Sequence, residues 1–360
     1  MSRTSLSQIH QFIEGYSSGK FWIGIDVHKR SYSLALLRED GMSYTWVTTA
    51  DPIRLVEQLQ GLPITISSIV YESGPTGFGL ARTLKKANIP VDIAAPSRIP
   101  RPVRPGAKSD RLDCLKLAAY GSKGMVKSIA VPREEEEALR ALLRRRQQLT
   151  ESLVRVKQRI KSLLLYIGQT EPHGLRSWTD KSIRQLENMS LNDAYQILLK
   201  SLIRQLRFVQ DERQIVLNQL QSLISKTDQQ NRLGCLSSVP GVGSITALTF
   251  LLEVFNPERF NRAEEIASYL GLAPMVHHSG EQTPPGKLQP VGQACLRSLL
   301  IEAAWMWKTK DEGARTMYNN FLSKMGIPQK AICAMARRLA IILWRIAVEQ
   351  RTYYPIEVKV

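Results

Sequence analysis

Between Phe21 and Val131 the apolar positions fall in short runs broken by polar residues. Phe21-Trp22-Ile23-Gly24-Ile25 ends at Asp26, and Ser31 to Leu37 alternates with Tyr32, Leu34 and Leu36 on one side. Two such runs joined by a few polar residues predict a β-hairpin. Ile64 to Tyr71 predicts a further strand that stops at Glu72. Gly74-Pro75-Thr76-Gly77 supplies a turn, and Phe78 to Ala87 predicts a helix. Pro90 to Ala95 predicts one more strand. Ser109 to Tyr120 predicts a helix with Leu112, Leu115 and Ala119 as its apolar face. Strands first, then strand–helix alternation, imply a mixed α/β sheet.

Beyond this block the period changes. Glu134 to Ile167 places Leu139, Leu142, Leu149, Leu153, Val156, Ile160, Leu163 and Ile167 at alternating steps of three and four, with Arg146 in the one polar slot. That spacing is a coiled-coil seam. Trp178 to Met189 is less regular. A second long helix is predicted over about Leu191 to Ser225, carrying Leu198, Leu202, Leu206, Val209, Val216, Leu220 and Leu223. The two helices can pair antiparallel within the chain or across a dimer, or serve as a plain hairpin spacer. The pattern does not separate these. From Leu233 to Lys324 the chain is rich in Gly and Pro with short helical stretches, and an amphipathic helix over about Gln329 to Gln350 follows. The expected domains are an N-terminal extension (1–20) with no assigned role, an α/β domain (21–132), a coiled-coil helical region (133–230) and a mainly helical C-terminal domain (231–360).

The chain has 360 residues, which favours two or three domains, and its 43% hydrophobic content supports real cores. Lys and Arg number 49 against 32 Asp and Glu, a formal net charge of +17. That excess predicts attraction to a polyanion, of which DNA and RNA are the commonest large ones. The alternative is a basic surface that only solubilises. Cys114, Cys235, Cys295 and Cys333 form no CxxC pair, which argues against zinc ribbons and redox motifs. They fit reduced, mostly buried thiols in a cytoplasmic protein. Met1 to Lys20 lacks the apolar core of a signal peptide. Ala331 to Val348 is interrupted by Arg337, Arg338 and Arg345, so no membrane span is expected.

Four acids stand out by position. Asp26 and Glu72 end two predicted strands, and Asp110 and Asp113 are three apart on a predicted helix, hence on one face. Carboxylates at strand ends share a sheet edge, where α/β proteins place their sites. Their mutual repulsion is relieved by divalent cations, and Mg²⁺ takes hard oxygen ligands of this kind. Such ions support phosphoryl transfer. Asp40, Asp51 and Asp92 sit in contexts that suit turn and surface roles. His28 is either a metal ligand or a hydrogen-bond donor beside the site. Lys29, Arg30 and Lys108 flank the acids and either hold phosphate oxygens or are simply solvated.

The C-terminal block carries Val239-Pro240-Gly241-Val242-Gly243 ahead of a helix pattern. Such a turn exposes backbone N–H groups at a positive dipole end and suits a phosphate at Gly241 and Gly243. It is similar to helix–hairpin–helix modules, which hold DNA backbone without reading bases. An ordinary tight turn is the alternative. Then come Tyr269-Leu270-Gly271-Leu272-Ala273-Pro274, His277-His278-Ser279-Gly280-Glu281, Gly286-Lys287 and Cys295-Leu296-Arg297. Ser279 is either an exposed nucleophile or a loop hydroxyl making a local turn bond.

These motifs together resemble the DEDD-type insertion-sequence transposases related to the Piv DNA invertase, which include bridge-RNA-guided recombinases. The resemblance rests on Gly-x-Asp-Val-His-Lys at Gly24 to Lys29, Glu72 after a strand, Lys-x-Asp-x-x-Asp at Lys108 to Asp113, and the Pro-Gly-Val-Gly, Tyr-Leu-Gly-Leu-Ala-Pro, Ser-Gly and Leu-Arg pieces in order. It implies a RuvC-like RNase H fold for the first block, with Asp26, Glu72, Asp110 and Asp113 as a Mg²⁺-holding tetrad. It implies a transposase domain in which Ser279 is a nucleophile that forms a covalent phosphoserine link to DNA. It further implies donor and target DNA as partners, a structured guide RNA from the element's non-coding end, and dimers that assemble to tetramers. Lys29, Lys108, Gly241, Gly243, Lys287 and Arg297 are the expected nucleic-acid contacts. The competing expectation is a RuvC-like metal nuclease that uses water and forms no covalent intermediate. Cys114 departs from the small residue usual there, and Gln289-Pro290-Val291-Gly292 lacks the Lys common before x-Gly.

Overall fold

The computed structural model describes residues 3–16, 18–99, 110–274, 288 and 292–355. The chain divides into two compact units, Met1–Val131 and Pro132–Val360.

The first unit is built on five strands, β1 (Lys20–Val27), β2 (Ser31–Arg38), β3 (Ser43–Thr49), β4 (Thr65–Glu72) and β5 (Val91–Ala94), in the order β3-β2-β1-β4-β5. The β1–β2 and β2–β3 pairs are antiparallel, and β1–β4 and β4–β5 are parallel. This is the mixed α/β sheet expected. The helices are α1 (Arg3–Ile13), α2 (Pro52–Gln60), α3 (Gly79–Lys86) and α4 (Asp110–Ser122). Alternation sorts the strand residues by face. Phe21, Ile23, Ile25, Tyr32, Leu34, Leu36, Ile69 and Tyr71 form one core with Ile9 and Ile13 of α1, Leu55 and Leu59 of α2, and Leu80 and Leu84 of α3. The residues 1–20 that carried no sequence assignment therefore contribute a helix to this core. Strand β3 and helix α2 also lay outside the expected elements. Asp51 caps α2, accepting from the N–H groups of Ile53 and Arg54.

The other face of the sheet carries α4, and its orientation corrects the expectation. Its buried residues are Cys114, Leu117 and Ala118, while Leu112 is exposed and Leu115 and Ala119 are half-buried. The reason is close approach. A Cβ at Gly24 would lie 1.9 Å from the Cys114 carbonyl oxygen and 2.5 Å from the Ala118 nitrogen. Backbone contact at this range admits only glycine on β1 and favours small residues on α4. Gly24→Ala is expected to force α4 off the strand, costing about 2–3 kcal/mol as overpacking and displacing Asp110 and Asp113. Thermal melts that match the parent would rule this packing out.

In the second unit the long helices are α5 (Glu134–Tyr166) and α7 (Asp193–Ile224), with α6 (Asp180–Glu187) between them. Leu139 and Leu143 group with Leu220 and Ile224, and Leu149 to Leu164 group with Leu199 to Val216. The start of one helix thus meets the end of the other, as in an antiparallel pair. Most seam positions on α5 are buried as expected, although Leu143 and Leu164 join them and Leu142 and Ile167 are only half-buried. On α7 the face is rotated at both ends. Leu199, Ile203 and Ile224 are buried, and Leu198 and Leu223 are exposed.

Among the described residues, six shorter helices follow: α8 (Gln229–Ser237), α9 (Ser244–Val254), α10 (Ala263–Tyr269), α11 (Ala294–Lys310), α12 (Glu312–Met325) and α13 (Pro328–Glu349). Their core is centred on Met335, Leu339, Leu343 and Ile346 of α13 with Leu300 and Trp307 of α11. Among the described residues, no helix is long and apolar enough to cross a membrane.

Candidate active site

Parallel pairing of β1 with β4 sets Ile25 against Tyr71, so Asp26 and Glu72 are the next residues on neighbouring strands. Alternation turns both toward the face that carries α4, because Ile25 and Tyr71 fill the opposite core. Asp110 and Asp113 occupy the first turn of α4. The close seat of α4 on Gly24 therefore fixes its N-terminal turn beside the end of β1.

Among the described residues, Asp26, His28 and Asp110 converge, with ligand-capable atoms that all lie within 4.8 Å of one another. His28 Nε2 stands 3.1 Å from an Asp26 carboxylate oxygen and 3.4 Å from one of Asp110. One imidazole nitrogen thus faces two carboxylates. Asp113 is ion-paired to Lys116 at 3.2 Å, and Glu72 is exposed at the strand end. The structure brings together Asp26 and Asp110 with His28, and does not bring Glu72 or Asp113 within that group. From the sequence His28 is either a metal ligand or a hydrogen-bond donor. Its signal was Asp26-Val27-His28, a spacing of two that puts both side chains on one side of an extended chain.

The donor set fits a divalent cation. Two hard carboxylates face one nitrogen at a half-open sheet edge, and a cation there would relieve their repulsion. Burial pushes the Cys114 thiol up to about 11, and the nearby Asp26 and Asp113 charges push it the same way. Cys114 is therefore a neutral packing residue and not a competing thiolate ligand. Asp92 accepts a hydrogen bond from Ser68 Oγ at 2.8 Å, and Asp40 pairs with Arg38 at 2.6 Å, so both acids have local roles.

The remaining expected residues are scattered. Lys29 is exposed next to the cluster. In the second unit, Gly241 takes φ +89°, and a Cβ there would lie 2.6 Å from the Trp307 nitrogen and 2.9 Å from the Ala303 carbonyl oxygen. The Pro240-Gly241 turn thus presses on α11, which gives Gly241 a packing reason of its own. Gly243 is the N-cap of α9. Arg297 is half-buried on α11. Lys108, His277, His278, Ser279 and Lys287 lie outside the described residues. Pro274 and Leu288, on either side of Ser279 in sequence, pair in an isolated antiparallel bridge.

Comparison with known proteins bears on the family. A DEDD-type transposase family model matches residues 23–168, and the model described as "Transposase IS116/IS110/IS902 family" matches residues 233–319. The y4qE protein of Sinorhizobium fredii is 27% identical, with 92% of this chain and 89% of that protein aligned. The transposase for insertion sequence element IS1111A of Coxiella burnetii is 24% identical over 92% of this chain and 90% of its own. The pilin gene-inverting protein of Moraxella bovis is 26% identical over 68% of each. The DEDD-type match agrees with an acidic site that depends on a divalent metal. The two matched segments, in this order on one chain, identify a member of the IS116/IS110/IS902 transposase family, enzymes that bind DNA and catalyse its cleavage and rejoining.

Proposed function

We propose that this transposase is an RNA-guided recombinase of an insertion sequence that cuts and rejoins DNA through a phosphoserine link at Ser279. The observation that carries the reading is the convergence of Asp26 and Asp110 on one point at the end of β1. Asp26, Glu72, Asp110 and Asp113 would hold Mg²⁺, with His28 fixing the carboxylates or ligating beside them. Bound Mg²⁺ would supply Lewis-acid polarisation of a phosphoryl oxygen.

The residues of the chain do the rest. The Ser279 Oγ attacks phosphorus, the Oγ–P bond forms, and one P–O bond to the strand breaks. The departing strand end leaves as a hydroxyl, taking up the proton the serine gives. A hydroxyl needs a base to be a competent nucleophile, and His277 and His278 are the neighbours in sequence. The number of phosphodiesters is unchanged, so rejoining to a second strand needs no nucleotide. The lysines and glycine N–H groups at Lys29, Lys108, Gly241, Gly243 and Lys287, with Arg297, would hold backbone phosphates. Sequence choice would come from pairing of a guide RNA with donor and target DNA. The relationship to a pilin gene-inverting protein supports strand exchange over simple degradation. The α5–α7 pair would form a coiled coil serving dimers that assemble to tetramers, and a RuvC-like domain (21–132), a helical region (133–230) and a transposase domain (231–360) would divide the labour.

The second reading, a metal nuclease that uses water, is favoured by the acids alone. Incubation with Mg²⁺ and DNA, followed by denaturation, separates the two. The expected result is DNA covalently attached to the parent protein and no adduct with Ser279→Ala, which still binds DNA. Free ends with no adduct would overturn the serine reading. RNase-treated protein that recombines its sites at the normal rate would remove the RNA.

A further inference from the structure

The basic residues of α5 and α7 are not equivalent. Arg140 and Arg144 are tied to Glu253, Arg155 to Glu151, Lys161 to Glu171 and Arg207 to Glu187. Arg145, Arg159 and Arg204 stand out in solvent. Arg146, Lys157 and Arg213 belong to neither group. All three are half-buried, and none has a carboxylate within ion-pairing distance among the described residues. The Arg146 Nε is buried without a hydrogen-bond partner, and Lys157 Nζ lies 5.3 Å from the Trp178 ring. Burial lowers the Arg146 and Lys157 proton affinities, and the charge of Arg213 lowers both further. Antiparallel pairing explains this, because it sets Arg213 at a level between the two.

Three neighbouring cations, partly withdrawn from water and without a carboxylate beside them, repel one another unless an anion joins them. Arg146 and Lys157 are eleven residues apart on α5, a rise of about 16 Å. That span exceeds a single phosphate and matches successive phosphates of one strand. We infer that Arg146, Lys157 and Arg213 form a clamp on the α5–α7 pair for the sugar–phosphate backbone of duplex DNA. DNA is the occupant because family membership establishes it as a partner. The inference rests on that membership, and not on the serine chemistry, which the covalent-adduct assay tests separately.

The test compares two triple variants of the full chain. One carries Arg146→Gln, Lys157→Gln and Arg213→Gln. The other carries Arg145→Gln, Arg159→Gln and Arg204→Gln. Binding to a duplex of arbitrary sequence and to single-stranded RNA of equal phosphate number is measured across a salt series. Each lost phosphate contact lowers the slope of log affinity against log salt by about 0.9 for duplex DNA. The clamp variant should therefore lose about 2–3 in slope and about a hundredfold in duplex affinity near 0.1 M salt. The solvent-exposed set should change the slope by less than about 0.5. Equal losses in both sets, or a loss confined to RNA, would overturn the clamp. Arg213→Gln alone should melt at or above the parent temperature, because it relieves repulsion. A lower melting temperature would make Arg213 a structural residue and overturn the assignment.

Discussion

Asp26→Ala is expected to reduce DNA strand cleavage by about a thousandfold or more while the first unit stays folded. The magnitude follows from several kcal/mol of charge stabilisation lost with a cation at about 1.4 kcal/mol per tenfold. Asp26 sits where β1 ends, 3.1 Å from His28. That nitrogen also reaches Asp110 at 3.4 Å, so removing Asp26 takes away one of the cluster's two carboxylates. The same substitution removes one of two facing negative charges from a half-exposed site. Melting should therefore hold or rise, a combination that a merely structural aspartate would not give. Cleavage within tenfold of the parent would exclude Asp26 from the chemistry, and His28→Ala should then be equally silent. With Asp26 intact, His28→Ala is expected to weaken cation affinity more than it slows saturated cleavage, as a positioning group does.

Glu253→Ala is expected to destabilise the second unit by about 3–5 kcal/mol, the usual cost of removing one partner from a buried ion pair. The Glu253 side chain is 6% exposed and that of Arg140 12%. Glu253 accepts from Arg140 Nη2 at 3.0 Å and from Arg144 Nε and Nη2 at 3.0 and 3.1 Å. It thereby ties α5 to the last turn of α9. Arg144 is half in solvent and adds less, since water screens it. Denaturant unfolding of the full chain reads the loss. Replacing Arg140 and Glu253 together with leucines should restore most of it, and a single variant as stable as the parent would exclude the pair as a strut.

The pH dependence has a definite sign. Burial alone raises the Glu253 carboxyl, but hydrogen bonds from Arg144 and the charges of Arg140 and Arg144 outweigh it and hold it below its ordinary value. A carboxyl depressed by folding stabilises fully above the ordinary carboxylate range and loses that contribution as pH falls through its folded value. The parent should lose stability in acid more steeply than Glu253→Ala over that window. Parallel acid melts would contradict this.

All four candidate acids could be picked out in the chain, and two of them, Asp26 and Asp110, converge in the structure. Asp26 and Glu72 were recognisable because each closes an apolar run, and a strand that leaves the core ends at a sheet edge. Asp110 and Asp113 were recognisable as a pair one helical turn wide. His28 was ambiguous because its second partner, Asp110, comes from α4, far along the sequence. The apolar face of α4 was misread for a related reason. Leu112 is large and apolar yet exposed, and the true contact is made by Cys114, Leu117 and Ala118 against a glycine strand. A pattern that weighs large side chains cannot register a fit that depends on small ones.

Local periodicity and charge, by themselves, determined the strand ends, the two long helices, the basic excess and the order of motifs. These follow from short-range sterics and from burial of whichever face is apolar, which the neighbouring residues already encode. The rotational phase of α7 did not follow, because Ile197-Leu198-Leu199, Leu202-Ile203 and Leu223-Ile224 each offer adjacent apolar choices. Packing against α5 chose Leu199, Ile203 and Ile224. The same packing decided which cations on the long helices found carboxylates and which were left with one another. Those outcomes depend on distances between residues remote in sequence, and only the folded chain sets such distances.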